Sequence, residues 1–567
     1  MAATVAAPGP TRQAAMDAAL ARLQEGAAAF VRLPITQRIA LVESMRRGYA
    51  GIAKPSVHLA CLAKRIPLGT PAEGEEWLSG PVITLTLLRQ WHDALRAIAR
   101  TGSTRVGGLR ETIDSRVSVR VYPGGALDWA VFPSLRAEVH LRRGAAADQR
   151  ASFYRDGHAG RPACVLVLGA GNVNAIPPLD VATKLFNEGK VCILKMHPVN
   201  AYLGPLLEQA FEHAIRQRFL AIVYGGAEEG AYLAAHPAVD EIHITGSDRT
   251  YEALVFGPPG PEQELRKAQR RPVLSKPVTA ELGSISPVIV VPGDYRPRQL
   301  QWQADHIAGG VTNNASFNCN ANKLLVTARG FGQGPELLRG IEAALARTPV
   351  RQAYYPGSEE RWRELTARHR TVTASPGAAD GALPWTLLPD LDPAADDEVA
   401  FRREPFCAIL SHTSLPADDP VAFLEQAVRF LNERVWGTLS ATVVVSPRSL
   451  RDPRVAVALE QALVDLRYGT VSLNLWAAWG FGIGTPWGGH PSTSAADIQS
   501  GAGFVHNTAM LEGVEKTVLR HPLTTFPKPV TSASHRTLHH VGPPLVALQA
   551  SGSILRLPAA AGPALVG

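Results

Sequence analysis

Cysteine is scarce in this chain. There are five in 567 residues, at positions 61, 164, 192, 319 and 407. They are odd in number, far apart and include no C-x-x-C pair, which excludes a disulfide framework and fits a reducing compartment. Charged residues are only 19% of the chain, and although the net charge is +7 the basic residues are scattered. A dense basic tract with interleaved aromatics is missing, so no nucleic-acid partner is expected. The surplus of Arg is compositional bias, with a mild preference for anionic ligands. No apolar run approaches the ~18–20 residues of a membrane span. The opening MAATVAAPGPTRQAAMDAAL has no basic segment leading into an apolar core, so no signal peptide and a cytoplasmic location are expected. There is no G-x-S-x-G elbow, which argues against a serine hydrolase. His535, His539 and His540 lie in the tail without Cys or acidic companions, short of the four ligands of a tetrahedral site, so no metal is expected.

What is present is a folded chain, 46% hydrophobic and too long for one domain. Apolar residues at three- and four-residue spacing predict helices through about residue 110, as in ITQRIALVESMRRGYAGIA and VITLTLLRQWHDALRAIAR. Residues 115–143 alternate around a Pro-Gly-Gly break and predict a long hairpin. From about Cys164 to Thr245, short β runs alternate with helical stretches, the pattern of βαβ units and a parallel sheet. The charged, Pro- and Gly-broken stretch 256–272 reads as a surface loop. A second mixed α/β region follows to about 460, and the tail after about 520 is rich in Pro, Ser, Thr and His.

Cys319 stands in GGVTNNASFNCNANKLLVT, among five asparagines and before an apolar run. A packing cysteine usually sits among Leu, Val and Ile, so this polar setting suggests a thiol used for chemistry. GAGNVNA (Gly169–Ala175) begins as G-x-G after a strand but lacks the third glycine. Asn172 or Asn174 can donate to a developing oxyanion, or merely build a turn. Lys195 closes a strand and can reach a ribose or phosphate, or simply be solvated. Gly246 and Ser247 sit between a strand and a helix start, where free N–H groups suit a pyrophosphate and where Ser247 is equally an ordinary N-cap. Glu281 precedes a glycine turn and suits a general base. Glu404, beside Pro405 and Phe406, can accept hydrogen bonds from a ribose diol. Each glutamate also reads as a surface charge. Trp476, Trp479 and Phe481 either line an aromatic tunnel or fill a core.

Taken in order, these segments resemble the aldehyde dehydrogenase superfamily from about Val165 to Gly489. The matching stretches are GAGNVNAIPP, ILKMHP, IVYGGAEEG, HITGSDRT, AELGSISPVIV, FNCNANKLLVT, REPFCAIL, LNERVWGTLSATVVV, YGTVSLN and TPWGGHP. The resemblance implies an α/β fold with a Rossmann-like parallel-sheet cofactor domain, an α/β catalytic domain and a β-hairpin oligomerisation arm. The expected division is 1–114 for an N-terminal helical part of the cofactor domain and 115–143 for the arm. The dinucleotide-binding domain follows at 144–280 and the thiol domain at 281–475. Residues 476–567 return to the cofactor domain and arm, with the tail.

The resemblance also implies roles: Cys319 as nucleophile, Glu281 as general base and Asn172 as oxyanion donor, preferred to Asn174 for its spacing to Lys195. Lys195, Gly225, Gly246, Ser247, Glu404 and Phe406 would hold NAD or NADP. The implied reaction oxidises a small-molecule aldehyde to a carboxylic acid through a thiohemiacetal and a thioester, in a homodimer or homotetramer. Two other readings are an acyl-CoA or acyl-thioester reductase of the same fold and a non-catalytic structural protein. This sequence departs from the family pattern at several places. Ser316-Phe317 replace the usual Gly-Gln, Ser284 and Ile285 replace a glycine and a lysine, and Gly171 stands where a Trp is usual.

Overall fold

A computed structural model describes residues 6–104, 106–146, 152–155, 160–375 and 381–567. Its first hundred residues are helical, as the periodicity predicts. The helix Ile35–Ala63 buries Met45, Tyr49 and Ile52, and Ile83–Thr101 buries Leu88, Trp91 and Leu95 on one face. The second of these ends at Gly102, whose φ of +75° makes the left-handed C-terminal turn that glycine adopts without strain.

The first sheet has six strands, in the order Gly501–Ala502, Val278–Leu282, Glu241–Gly246, Cys164–Leu168, Val191–Lys195 and Leu220–Val223. All but the edge pair with Gly501–Ala502 are parallel. The chain starts in the middle, moves outward through Lys195 and Val223, then crosses to Glu241 and Val278. That reversal leaves a crevice at the carboxyl ends of the strands, where open α/β sheets take ligands. The central strands are continuous apolar runs because both faces are covered.

The second sheet has eleven strands. Pro287–Val290 and Leu324–Ala328 lie near its centre, with Ile409–Leu415 and Thr386–Leu391 on one side and Ser440–Val444 and Thr470–Leu473 on the other. The predicted hairpin forms from Val117–Tyr122 and Arg136–Leu141, with a short helix, Ala126–Val131, across its tip. Arg136–Leu141 pairs antiparallel with Val514–Arg520 of the same chain, which in turn pairs parallel with Thr470–Leu473. The strand Val514–Arg520 therefore lies between the hairpin and the thiol-bearing sheet.

One expectation is corrected. The stretch 256–272 contains a helix, Pro261–Ala268, rather than only loop. Pro261 stands in its first turn with Glu262 and Glu264, and Arg266 and Lys267 stand in its last, an arrangement matched to helix polarity. The tail, for which the sequence predicts no element, forms the helices Leu538–Ser551 and Leu557–Val566 despite their internal prolines. Among the described residues no helix is long and apolar enough to cross a membrane.

Candidate active site

Cys319 follows a turn of unusual backbone. Asn314, Ala315 and Ser316 all have positive φ, at 52°, 56° and 69°, a conformation costly for residues with a Cβ. Hydrogen bonds hold it in place. The Asn314 amide donates to the carbonyls of Asn172 (3.0 Å) and Phe317 (3.1 Å) and to Asn318 Oδ1 (3.1 Å), and its backbone N–H donates to Glu75 (2.9 Å). The turn points Cys319 out of its own loop, half-buried, onto a cavity. Ser286 Oγ donates to the Cys319 carbonyl at 3.2 Å and fixes the loop from the other side.

Glu281 lies on the strand Val278–Leu282, at the carboxyl edge of the first sheet. It is 3% exposed, and its Oε1 has no hydrogen-bond partner. Its carboxyl and the Cys319 thiol lie close enough to shift one another's titration, although 38 residues separate the two in sequence. Burial pushes Glu281 up to about 8, opposed by the neighbouring Cys319 thiol. The thiol is held well above its ordinary value by burial first, then by the carboxylates of Glu281 and Glu404, with Lys323 pulling the other way.

Lys323 escapes a sequence reading, because a lysine opening an apolar run looks like a strand-edge charge. In the fold it is 1% exposed and central. Its Nζ donates to Asn318 O (2.6 Å), Ser284 O (3.0 Å) and Glu404 Oε1 (2.5 Å), joining the thiol loop, the Glu281 turn and the Glu404 turn through one ammonium. Such a group satisfies its hydrogen bonds while neutralising a buried carboxylate. Glu404 comes so close that a Cβ on Gly283 would lie 1.8 Å from its Oε2. Phe406, at φ 42°, packs with Phe317 (5.7 Å between ring centres) and Tyr355 (5.0 Å).

Asn172 is buried, and its amide donates to the Phe317 carbonyl at 2.9 Å, two residues before the thiol. Its own carbonyl accepts from Lys64, Asn314 and Tyr354 at 3.0–3.2 Å. Lys64 is paired with buried Glu76 at 2.8 Å, so the N-terminal helices brace the loop. Asn174 turns away and donates to Glu76 at 3.5 Å. Gly171 is required where a Trp is usual in the resembled pattern. A Cβ there would lie 2.3 Å from His197 Nδ1.

The remaining candidates lie at the carboxyl edge of the first sheet, where Gly246 pairs in register with Leu282, beside Glu281. Lys195 is 8% exposed, its pKa lowered by burial and partly restored by Glu229. Gly225, at φ 140°, precedes the helix Ala227–Ala235, and a Cβ there would meet Glu229 at 2.4 Å. Gly246 and Ser247 form an exposed turn, and Ser247 Oγ accepts from the Thr250 N–H at 3.2 Å as an N-cap. Trp476, Trp479 and Phe481 all line the cavity that opens on Cys319, and the Trp476 ring N–H donates to Asn320 O at 2.8 Å. Among the tail histidines, His535 is buried, and no described cluster of three metal-ligating side chains includes it.

The chain was compared with known proteins. The family model described as "Aldehyde dehydrogenase family" matches residues 177–349. A comparison with curated proteins found no match. Several solved structures share the fold. One is an NADP-dependent glyceraldehyde-3-phosphate dehydrogenase from Bacillus halodurans, complexed with NADP (18% identity, 90% of this chain and 92% of that one, TM-score 0.58). Another is a Mycobacterium tuberculosis aldehyde dehydrogenase complexed with NAD+ (18%, 92% of each chain, 0.58). A third is a substrate-bound Staphylococcus aureus AldH (15%, 91% and 95%, 0.60).

Proposed function

Because the chain has the aldehyde dehydrogenase fold and matches that family's model over residues 177–349, we propose that it oxidises an aldehyde to a carboxylic acid with NAD or NADP. One observation carries the reading: buried Glu281, on the strand Val278–Leu282, lies close enough to Cys319 for each to shift the other's pKa, and Cys319 opens onto a cavity. A thiol and a carboxyl group held high by burial form a nucleophile–base pair.

The edge of the first sheet fits a dinucleotide. Lys195 is buried with no protein acceptor for its ammonium among the described hydrogen bonds, and nothing lies closer than 3.6 Å to the position a Gly246 Cβ would take. Lys195, Gly225, Gly246 and Ser247 would hold its adenosine and pyrophosphate end, and Glu404 and Phe406 its nicotinamide riboside. Bound there, it supplies the hydride acceptor that turns a thiohemiacetal into a thioester.

The protein's own groups do the rest. Glu281 takes the Cys319 proton as the sulfur attacks the carbonyl carbon. Asn172 and the loop N–H groups hold the oxyanion. After hydride loss, Glu281, having shed its proton to solvent, takes one from water. The resulting hydroxide adds to the thioester, the C–S bond breaks, and the acid and the thiolate separate. The balance is aldehyde, water and oxidised dinucleotide giving acid, reduced dinucleotide and a proton.

The test is reduced-dinucleotide formation at 340 nm over aliphatic and aromatic aldehydes, with NAD and NADP run separately. Cys319→Ala is expected to abolish turnover at an unchanged thermal midpoint. Persistent turnover in that variant refutes the thiol mechanism. Turnover of acyl-CoA in place of aldehyde would favour the reductase reading.

A further inference from the structure

The cavity that opens on Cys319 encloses about 350 Å³ and extends from the thiol loop to the last helix of the chain. We propose that it holds the apolar tail of an uncharged carbonyl substrate, and that the C-terminal helices Leu538–Ser551 and Leu557–Val566 build the wall that receives this tail. The proposal rests on the reading of Cys319 as the nucleophile.

The wall is apolar along its length, with Val82, Ile83, Val131, Val530, Val541 and Leu545 facing the space. Its charged groups are already engaged. Asp128 pairs with Arg89 at 2.6 Å and accepts from the Gly124 N–H. Glu75 pairs with Arg351 at 2.9 Å and accepts from the Asn314 N–H. Gln549 accepts from Arg89 at 2.9 Å. Among the described residues, the fully buried polar atoms on the wall without a partner, Trp479 Nε1 and Thr531 Oγ1, are neutral, and the lining contains no Lys, Arg or His. A substrate carboxylate or phosphate would therefore meet two acids and no free cation, whereas a methylene chain would meet side chains of its own kind.

The last helix, LPAAAGPALV, is suited to this place. It carries no charge, and the side chains it gives the cavity include the small Ala560, Ala561 and Ala564. It is also anchored. Thr537 Oγ1 donates to the Pro563 carbonyl at 2.8 Å, and Arg46 donates to the carbonyls of Gln549 (3.2 Å) and Ala550 (2.7 Å) on the preceding helix. A Cβ on Gly542 would lie 2.3 Å from Trp77, so that helix is seated directly on the N-terminal bundle. The wall is part of the packed fold.

The experiment has two arms. Calorimetric titration with unreactive 1-alkanols of six to twelve carbons reads the cavity without chemistry. Affinity is expected to rise about fourfold per methylene, and Ala561→Trp, which fills the far end, to weaken 1-decanol at least tenfold. Ala564→Trp is the second variant, and thermal midpoints check that both are folded. In the kinetic arm, kcat/KM is expected to rise from propanal to decanal, and the decanal-to-propanal ratio to fall at least tenfold in the variants. Alkanol affinity independent of chain length, or unchanged by tryptophan, overturns the proposal. Chain-dependent alkanol binding without oxidation of any alkanal would support the cavity assignment and sink the aldehyde reading. Oxidation without chain-length preference would do the reverse.

Discussion

Replacing Glu281 by Gln should make the protein more stable, and by an amount that grows with pH. The carboxyl is buried and held near 8, against an ordinary value of 4.5. Between those values the folded state binds more protons than the unfolded state, so stability falls as pH rises through the window and levels off above the folded value. With ~1.36 kcal/mol per pH unit, the cost in the wild type is about 2 kcal/mol at pH 6 and about 5 kcal/mol at pH 9. Glutamine keeps the shape and hydrogen-bonding capacity and carries no charge, so the variant escapes both costs. For 567 residues unfolding together, at ~2.1 cal/mol/K per residue, 5 kcal/mol corresponds to a midpoint rise of about 4 °C. The assay is thermal unfolding of both proteins from pH 6 to 9. The difference in midpoint should widen by about 2 °C over that range, while aldehyde turnover in the variant is lost, both thiol attack and thioester hydrolysis lacking their base. A constant difference, or a variant less stable than the wild type at pH 9, would refute the claim that burial holds this carboxyl high.

Lys323→Met orphans three acceptors and leaves the half-buried Glu404 without its hydrogen-bonded cation, so it should cost ~3–5 kcal/mol. Denaturant unfolding within 1 kcal/mol of wild type would contradict that. Asn172→Ala should lower kcat ~10²–10³-fold if the amide holds the oxyanion; a fall under fivefold would assign the residue to loop bracing alone. Gly283→Ala forces the Glu404 carboxylate aside, and a loss of ~1–3 kcal/mol with weaker dinucleotide binding by calorimetry is expected, equal binding being the result against it.

The parallel sheet around Cys164–Leu168 was legible because its strands are apolar runs regularly spaced by helical stretches. Cys319 and Glu281 stood out for their settings, a thiol among asparagines and an acid before a glycine turn, and their order along the chain suggested that the fold joins them. Lys323 was not legible. Its importance comes from three carbonyl and carboxylate oxygens supplied by distant segments, which no local pattern records. The C-terminal helices were hidden by Pro543, Pro544 and Pro563, residues that usually end helices. Here they are carried by packing against Trp77 and its neighbours. The hairpin was legible as a hairpin, while the strand that covers it, Val514–Arg520, lies far downstream, beyond the reach of any local pattern.

That separation bears on how the protein is made. The hairpin leaves the ribosome about 370 residues before its covering strand. At ~5–20 residues per second, one edge of Arg136–Leu141 stays open for roughly 20–75 seconds on every nascent chain. The six-stranded sheet is less exposed to delay: Cys164 to Leu282 emerge within a quarter of the chain, and only its two-residue edge arrives late. Synthesis thus divides the molecule into a half that can close early and a half that must wait for the final segment. Chains halted before residue 514 would carry an unpaired β edge, a template for association, and the cell must shield it until translation ends.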